Sequence, residues 1–199
     1  MSIARLRRAG ASLNEVGLKA AAIRSSAAAP DMDDLLEEAS EGGGAEAIAR
    51  LRSRDKMPIR ERISHALDRD SPFLEISPLA AWRSPFAIGS GFVVGVGVIE
   101  NVECVILGHD PSVRAGAFNQ FNSKKLMRGL EIARVNRLPY DQFVESAGEE
   151  LRGEAGDDPE AAIQRAEEHY AERGRIFYEI TELSKMHIPN VNVVFGAST

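Results

Sequence analysis

From Gly89 to Thr199 the sequence runs through an apolar hairpin, a basic helix, a strand ending in Ser146-Ala147-Gly148, and a second strand ending in Gly196-Ala197-Ser198-Thr199. That succession points to an α/β layout. Strands joined through helices lie parallel, and their C-terminal ends are where such proteins place ligands. The last strand, Val191 to Phe195, reads as buried, and no helix follows it. One strand-end loop is therefore complete while the next is cut short, so the chain is expected to be part of a longer protein.

At 199 residues and 44% hydrophobic content the chain can bury one core, which suggests one domain and at most two. The longest apolar run, Phe92 to Ile99, is broken by glycines and far shorter than the ~20 residues of a membrane-spanning helix. A net charge of −6 argues against general nucleic-acid binding. Cys104 is the only cysteine, and His65, His109, His169 and His187 are widely separated, so neither a disulfide framework nor a metal site is indicated. Before Pro30, Arg5, Arg7, Arg8, Lys19 and Arg24 face a single acid, Glu15. An organelle transit peptide has this character, but a basic, frayed helix of a bacterial protein is the plainer reading. Asp31 to Glu41 turns acidic, and Gly42-Gly43-Gly44 breaks the segment.

Ala45 to Arg54 reads as a short helix, and Pro58 in a first turn opens another whose Ile63, Ala66 and Leu67 share one face. Arg60, Glu61, Arg62 and Asp68 are left for solvent or ion pairs. Asp70-Ser71-Pro72 makes a turn before a short extended piece, Phe73 to Ile76. Alternation from Phe92 to Ile99, a Glu100-Asn101 turn and Val102 to Leu107 predict a β-hairpin, with glycines for close approach or a bulge. Ser123 is the expected cap of a helix over Lys124 to Asn136 with Leu126, Leu130 and Ala133 inward, closed by Pro139. A strand at Phe143-Val144 follows. Asp157 or Asp158 before Pro159-Glu160 starts a further helix, with a possible break at Gly174 and an end at Pro189. The second half thus reads ββαβαβ.

Few residues advertise chemistry. Backbone N–H groups of Ser146-Ala147-Gly148 can hold an oxyanion, although a plain strand-to-helix turn is the default. Ser146 has no histidine nearby in sequence to activate it as a nucleophile. Lys124, Lys125 and Arg128, close after the Arg114-Ala115-Gly116 turn, can meet phosphates of a nucleotide-like ligand or simply face solvent. Glu145, Glu149, Glu150 and Glu154 read as surface charge, and His109-Asp110 as a hydrogen-bonded turn in preference to an acid/base pair.

Together the segments "RLRSRDKMPIRERI", "SPFLEISPLAAW", "GSGFVVGVGVIENVECVILGHDPSVRAGAF", "SKKLMRGLEIARVNRLP", "FVESAGEEL", "GRIFYEITELSKMHIP" and "VVFGAST" resemble the carboxyltransferase β subunits of biotin-dependent acyl-CoA carboxylases, the propionyl-CoA and methylcrotonoyl-CoA carboxylase group. The resemblance runs from about Gly42 to Thr199. It implies an α/β, crotonase-like (ClpP/crotonase) spiral of ββα units, incomplete here, with a helical N-terminal extension. Residues 1–41 are then the basic and acidic extension, and 42–199 a truncated N-terminal carboxyltransferase domain.

In that family the acyl thioester becomes an enolate, held by backbone amides, that attacks CO2 released from carboxybiotin. Placement and oxyanion stabilisation carry such chemistry without a charged dyad. The resemblance places Ser146, Ala147 and Gly148 beside the acyl-CoA, with Lys124 and Gly116 as further acyl-CoA-binding residues, no metal and no directly bound cofactor. Glycine is usual in the family where Ala147 stands. Relatives continue after the strand into an Ala-Gly-Gly segment that completes the oxyanion site, so no catalytic residue is assigned within the chain and the isolated chain is expected to be inactive. The stretch Gly153 to Glu168 does not align with the family's usual loop.

Implied partners are acyl-CoA, a biotin carboxylase and biotin carrier α subunit that brings carboxybiotin, and other β subunits in a homo-oligomer. Nucleic acid and membrane are not among them. The implied location is the bacterial cytoplasm, with the mitochondrial matrix as the alternative. Two other readings stay open: a non-catalytic assembly or regulatory fragment docking on full-length β subunits, and another crotonase-type acyl-CoA enzyme such as a hydratase or decarboxylase.

Overall fold

The computed structural model describes residues 31–149, 171 and 174–198. The basic N-terminal segment, the Asp157–Glu160 helix start and the Gly153–Glu168 stretch lie outside the described residues. The chain divides into two compact units, Met1–Asp34 and Leu35–Thr199. The second unit holds the sheet and the helices that cover it.

Helix α1 (Met32–Glu41) buries Leu35 and Ala39 and ends at the glycine triplet. Helix α2 (Gly44–Arg52) buries Ala47 and Leu51. Helix α3 (Ile59–Ala66) starts one residue after its proline: Pro58 is the N-cap, extended at ψ 149°, and not part of the first turn. Among the described residues there are five strands, β1 (Leu74–Glu75), β2 (Phe92–Ile99), β3 (Val102–His109), β4 (Tyr140–Ser146) and β5 (Asn190–Ser198), in that order across one sheet. β1, β2 and β3 are antiparallel neighbours, whereas β3–β4 and β4–β5 are parallel.

The β2–β3 hairpin turns on Glu100 and Asn101, both left-handed at φ 50° and 62°. Such a two-residue turn matches the twist of the strands. The Asp68 carboxylate secures it, accepting from the Glu100 and Asn101 amides at 2.7 and 2.8 Å. Gly95 and Gly97 are needed for space, since a Cβ at either would collide with Phe73 or Leu67.

Helix α4 (Gln120–Asn136) begins earlier than the sequence suggests. Asn119, not Ser123, is the cap: its side chain accepts from the Phe121 and Asn122 amides, while the Asn122 side chain accepts from the Asn119 amide. This reciprocal box uses an asparagine where glutamate or glutamine is more usual. Asn122 also donates to the carbonyls of Ser90 and Ala117, which ties the helix start to the loop before β2. The helix closes on Arg137 in the left-handed region. Residues 174–185 form α5, and the segment just before Gly174, where a break is expected, lies outside the described residues.

The sheet carries a core on each face. On one, Leu126, Leu130 and Ala133 of α4 and Leu183 of α5 pack on Phe92, Val94, Val105, Leu107 and Tyr140. On the other, Ile59 and Ile63 of α3 cover Val93, Cys104, Ile106 and Phe143. This is the period-two segregation expected of strands covered on both sides. β5 departs from expectation. Val191, Val193, Val194 and Phe195 are all at least 40% exposed, and among the described residues β5 has a neighbouring strand on one side only.

Candidate functional site

The parallel strands β3 and β4 end side by side, and the loops that leave them are stitched together. After β3, Asp110 accepts from the backbone and hydroxyl of Ser112, so His109-Asp110 does lead into a hydrogen-bonded turn. The chain then enters a short 3-10 turn, Arg114–Gly116, in which Arg114, Ala115 and Gly116 all have positive φ, at 46°, 53° and 71°. Consecutive left-handed residues that include two non-glycines are strained, and such strain is held only where surroundings enforce it.

The enforcement comes from the β4 loop. Ala147 donates its amide to the Ala115 carbonyl at 3.0 Å, and Phe118 donates to the Gly148 carbonyl at 2.8 Å, with a parallel bridge between Phe118 and Glu149. Gly116 rests on the Glu145 carbonyl, where a Cβ would overlap that oxygen. Gly148 is left-handed at φ 88° and donates its amide to Ser146 Oγ at 3.1 Å.

The residues singled out in the sequence are therefore partly brought together. Ser146, Ala147, Gly148 and Gly116 meet in one seam, with Ser146 buried and Ala147 exposed. Ser198 joins them as the register partner of Ser146 on β5. The amides of Ala147 and Gly148 are engaged inside the chain, as in the plain-turn reading of this loop. Lys124 is exposed on α4. The basic cluster does not form: Lys125 turns inward, donating to the Phe92 carbonyl at 2.7 Å with Glu75 at 3.6 Å, and Arg128 pairs with Glu131. Burial pushes the Lys125 ammonium down to about 8, with Glu75 opposing.

Glu145, a surface charge by its sequence context, is instead buried. Arg62 Nη1 donates to its carboxylate at 2.8 Å, and Lys56 Nζ donates to its other oxygen. Burial alone would raise its pKa, but these two cations hold it below the usual carboxylate value. Arg62, left by its place on the helix for solvent or an ion pair, makes the ion pair and is buried in it. Its guanidinium also lies 4.6 Å from the centroid of the Phe195 ring. Beside the pair lies a cleft of about 460 Å3 lined by Lys56, Met57, His65, Phe143 and Phe195 among others. Among the described residues no cluster of three or more histidine, cysteine or acidic residues could hold a metal, and no helix is long and apolar enough to cross a membrane.

The profile of the family described as Carboxyl transferase domain matches residues 50–199. Over 164 residues the chain is 40% identical to a probable biotin-dependent acyl-coenzyme A carboxylase β2 subunit of Mycobacterium tuberculosis, covering 82% of this chain and 29% of that one. It is 37% identical over 172 residues to the probable mitochondrial methylcrotonoyl-CoA carboxylase β chain of Drosophila melanogaster, covering 85% and 28%. The chain thus spans under a third of the length of these curated relatives. Among solved structures, the β subunit of P. aeruginosa geranyl-CoA carboxylase superposes with a TM-score of 0.64 at 29% identity, over 80% of this chain and 28% of that one. The transcarboxylase 12S structure, at 20% identity and a TM-score of 0.66 over 94% and 33%, agrees in fold. The chain has the crotonase-like α/β fold and belongs to the carboxyl transferase domain family, that of the acyl-CoA carboxylase β subunits.

Proposed function

We propose that residues 42–199 form the acyl-CoA side of a carboxyltransferase β subunit, whose reaction moves CO2 from the carboxybiotin of a partner carrier to the α- or γ-carbon of an acyl-CoA. The observation that carries this reading is the seam between the 114–118 and 146–149 loops, at the C-terminal ends of parallel strands and inside the family match. Ligands of open α/β sheets bind at such strand ends. Ser146, Ala147, Gly148 and Gly116 shape the surface against which the thioester lies, and Lys124 supplies positive charge toward the CoA phosphates. Because the Ala147 and Gly148 amides serve the seam, the oxyanion donors are supplied from elsewhere in the full assembly. Its partners are a biotin carboxylase and carrier subunit and further β subunits.

Calorimetric titration of the chain with propionyl-CoA, using free CoA as control, tests this reading. Saturable binding is expected, weakened roughly tenfold or more by Gly148→Leu, which puts a branched side chain on a left-handed residue of the seam. Absence of saturable binding by a chain that unfolds cooperatively overturns the assignment.

The exposed side chains of β5, an edge strand among the described residues, favour a second reading, a non-catalytic piece that docks on full-length β subunits. Val191, Val193, Val194 and Phe195 lie on a nine-residue strand without charged residues. Unprotected edges of this kind invite strand pairing. Co-elution with a full-length β subunit in size exclusion supports this reading, and separate elution rejects it.

A further inference from the structure

Glu145 lies where the seam, α3 and β5 meet. It immediately precedes Ser146, and its carbonyl is the floor on which Gly116 rests. Its carboxylate receives Arg62 and Lys56. On β5, a Cβ at Gly196 would lie 2.8 Å from Glu145 Oε1, so the absent side chain at 196 is the space the carboxylate occupies. The pairing shows what this does to the sheet. Val144 faces Val194 and Ser146 faces Ser198, so the single residue Glu145 opposes Phe195, Gly196 and Ala197. β5 bulges around the carboxylate, and a bulge re-aims the residues beyond it.

We propose that Glu145 is the positioning residue of the acyl-CoA site: clamped by Arg62 and Lys56, it wedges the β5 bulge and sets the seam that joins the Arg114–Gly116 turn to Ser146–Gly148. The inference rests on the proposed acyl-CoA function. A buried carboxylate with two cations is rigid in a way a neutral side chain is not, because every displacement separates charges in a medium of low dielectric. Arg62, held over the Phe195 ring, carries the same constraint to the bulged strand.

The test separates positioning from general stability. Hydrogen exchange is followed at the amides of Ala147 and Phe118, which make the seam, and at the amide of Val105, which donates to the Pro139 carbonyl at 2.8 Å at the far end of β4. Two full-chain variants are compared with wild type, Glu145→Gln and the double variant Arg62→Met/Glu145→Met. The second removes the buried pair together, a change that folded proteins commonly tolerate. In both, exchange at Ala147 and Phe118 is expected to quicken roughly tenfold or more while Val105 is unchanged, as for loss of a charge-assisted contact. The propionyl-CoA Kd rises by a similar factor.

Equal acceleration of all three amides in the double variant means that Glu145 merely holds the fold, and overturns the proposal. So does a loosened seam with an unchanged Kd. Failure of wild type to bind propionyl-CoA sinks the functional reading instead, and the exchange rates still decide whether Glu145 sets the seam.

Discussion

Gly116→Ala is expected to destabilise the chain by more than about 3 kcal/mol, measured as a loss in the urea midpoint at unchanged slope. Two penalties combine. Gly116 sits at φ 71°, where a Cβ costs about 1–2 kcal/mol on its own. The new methyl also overlaps the Glu145 carbonyl, a backbone atom in a strand that cannot rotate away. Gly44 provides the control, because it has φ 81° but open space around its Cβ position. Gly44→Ala should cost only about 1–2 kcal/mol, the conformational part alone. If the two variants lose equal stability, the turn is not seated on β4 and the seam does not hold it. The same methyl pushes Ala115 away from the Ala147 amide, so the Gly116 variant is also expected to lose propionyl-CoA binding under conditions where it remains folded.

The elements that read correctly from sequence are those whose signal is local. The β2–β3 hairpin follows from alternation about Glu100-Asn101, and Leu126, Leu130 and Ala133 fall on the buried face of α4 by spacing alone. Misreadings arise where distant residues decide. Glu145 looks like one acid among four, but its partners Arg62 and Lys56 lie 83 and 89 residues away. The available signal is its period-two relation to Phe143, which puts both on the α3 face of β4.

Lys125 sits in a run of basic residues, yet its helical phase points it at the Phe92 carbonyl. Val191 to Phe195 reads as a core strand because composition reports what a strand can bury and not what lies beside it. The start of α4 is misplaced by sequence because Asn119 and Asn122 cap as a pair, whereas Ser123, the nearer cap candidate, is buried inside the helix. The seam itself is only half legible. Both loops stand out in sequence, but their pairing is made of backbone hydrogen bonds that no side chain announces.

Stability should fall as pH drops from about 6.5 to 4 through His109. The ring is buried at the end of β3, stacked 4.3 Å from Phe92 and edge-on to Phe118, with Gln142 3.0 Å from Nε2 and, among the described residues, no partner at Nδ1. Burial is the cause that pushes the imidazole down from 6.5 to about 4. The neutral form is therefore the one the fold accepts, and the unfolded chain binds the extra proton. Stability is complete above 6.5 and is lost as pH falls toward the folded value, by about 3 kcal/mol in all at 1.36 kcal/mol per pH unit.

Other groups titrate in the same range with mixed sign. Glu145, held low, also favours the fold at higher pH, whereas Asp110 and Asp141 are pushed up by burial and oppose it. Comparison with His109→Gln isolates the histidine, because the replacement keeps a polar partner for Gln142 and removes the proton. Urea midpoints at pH 7 and pH 4.5 should show wild type losing about 2 kcal/mol more than the variant over that interval. Parallel losses in the two proteins would mean that His109 takes up its proton without opening the core. The ring would then have to reach water through the loops at the strand ends, and the close packing of Gly116 against the His109 Cβ argues against such a path.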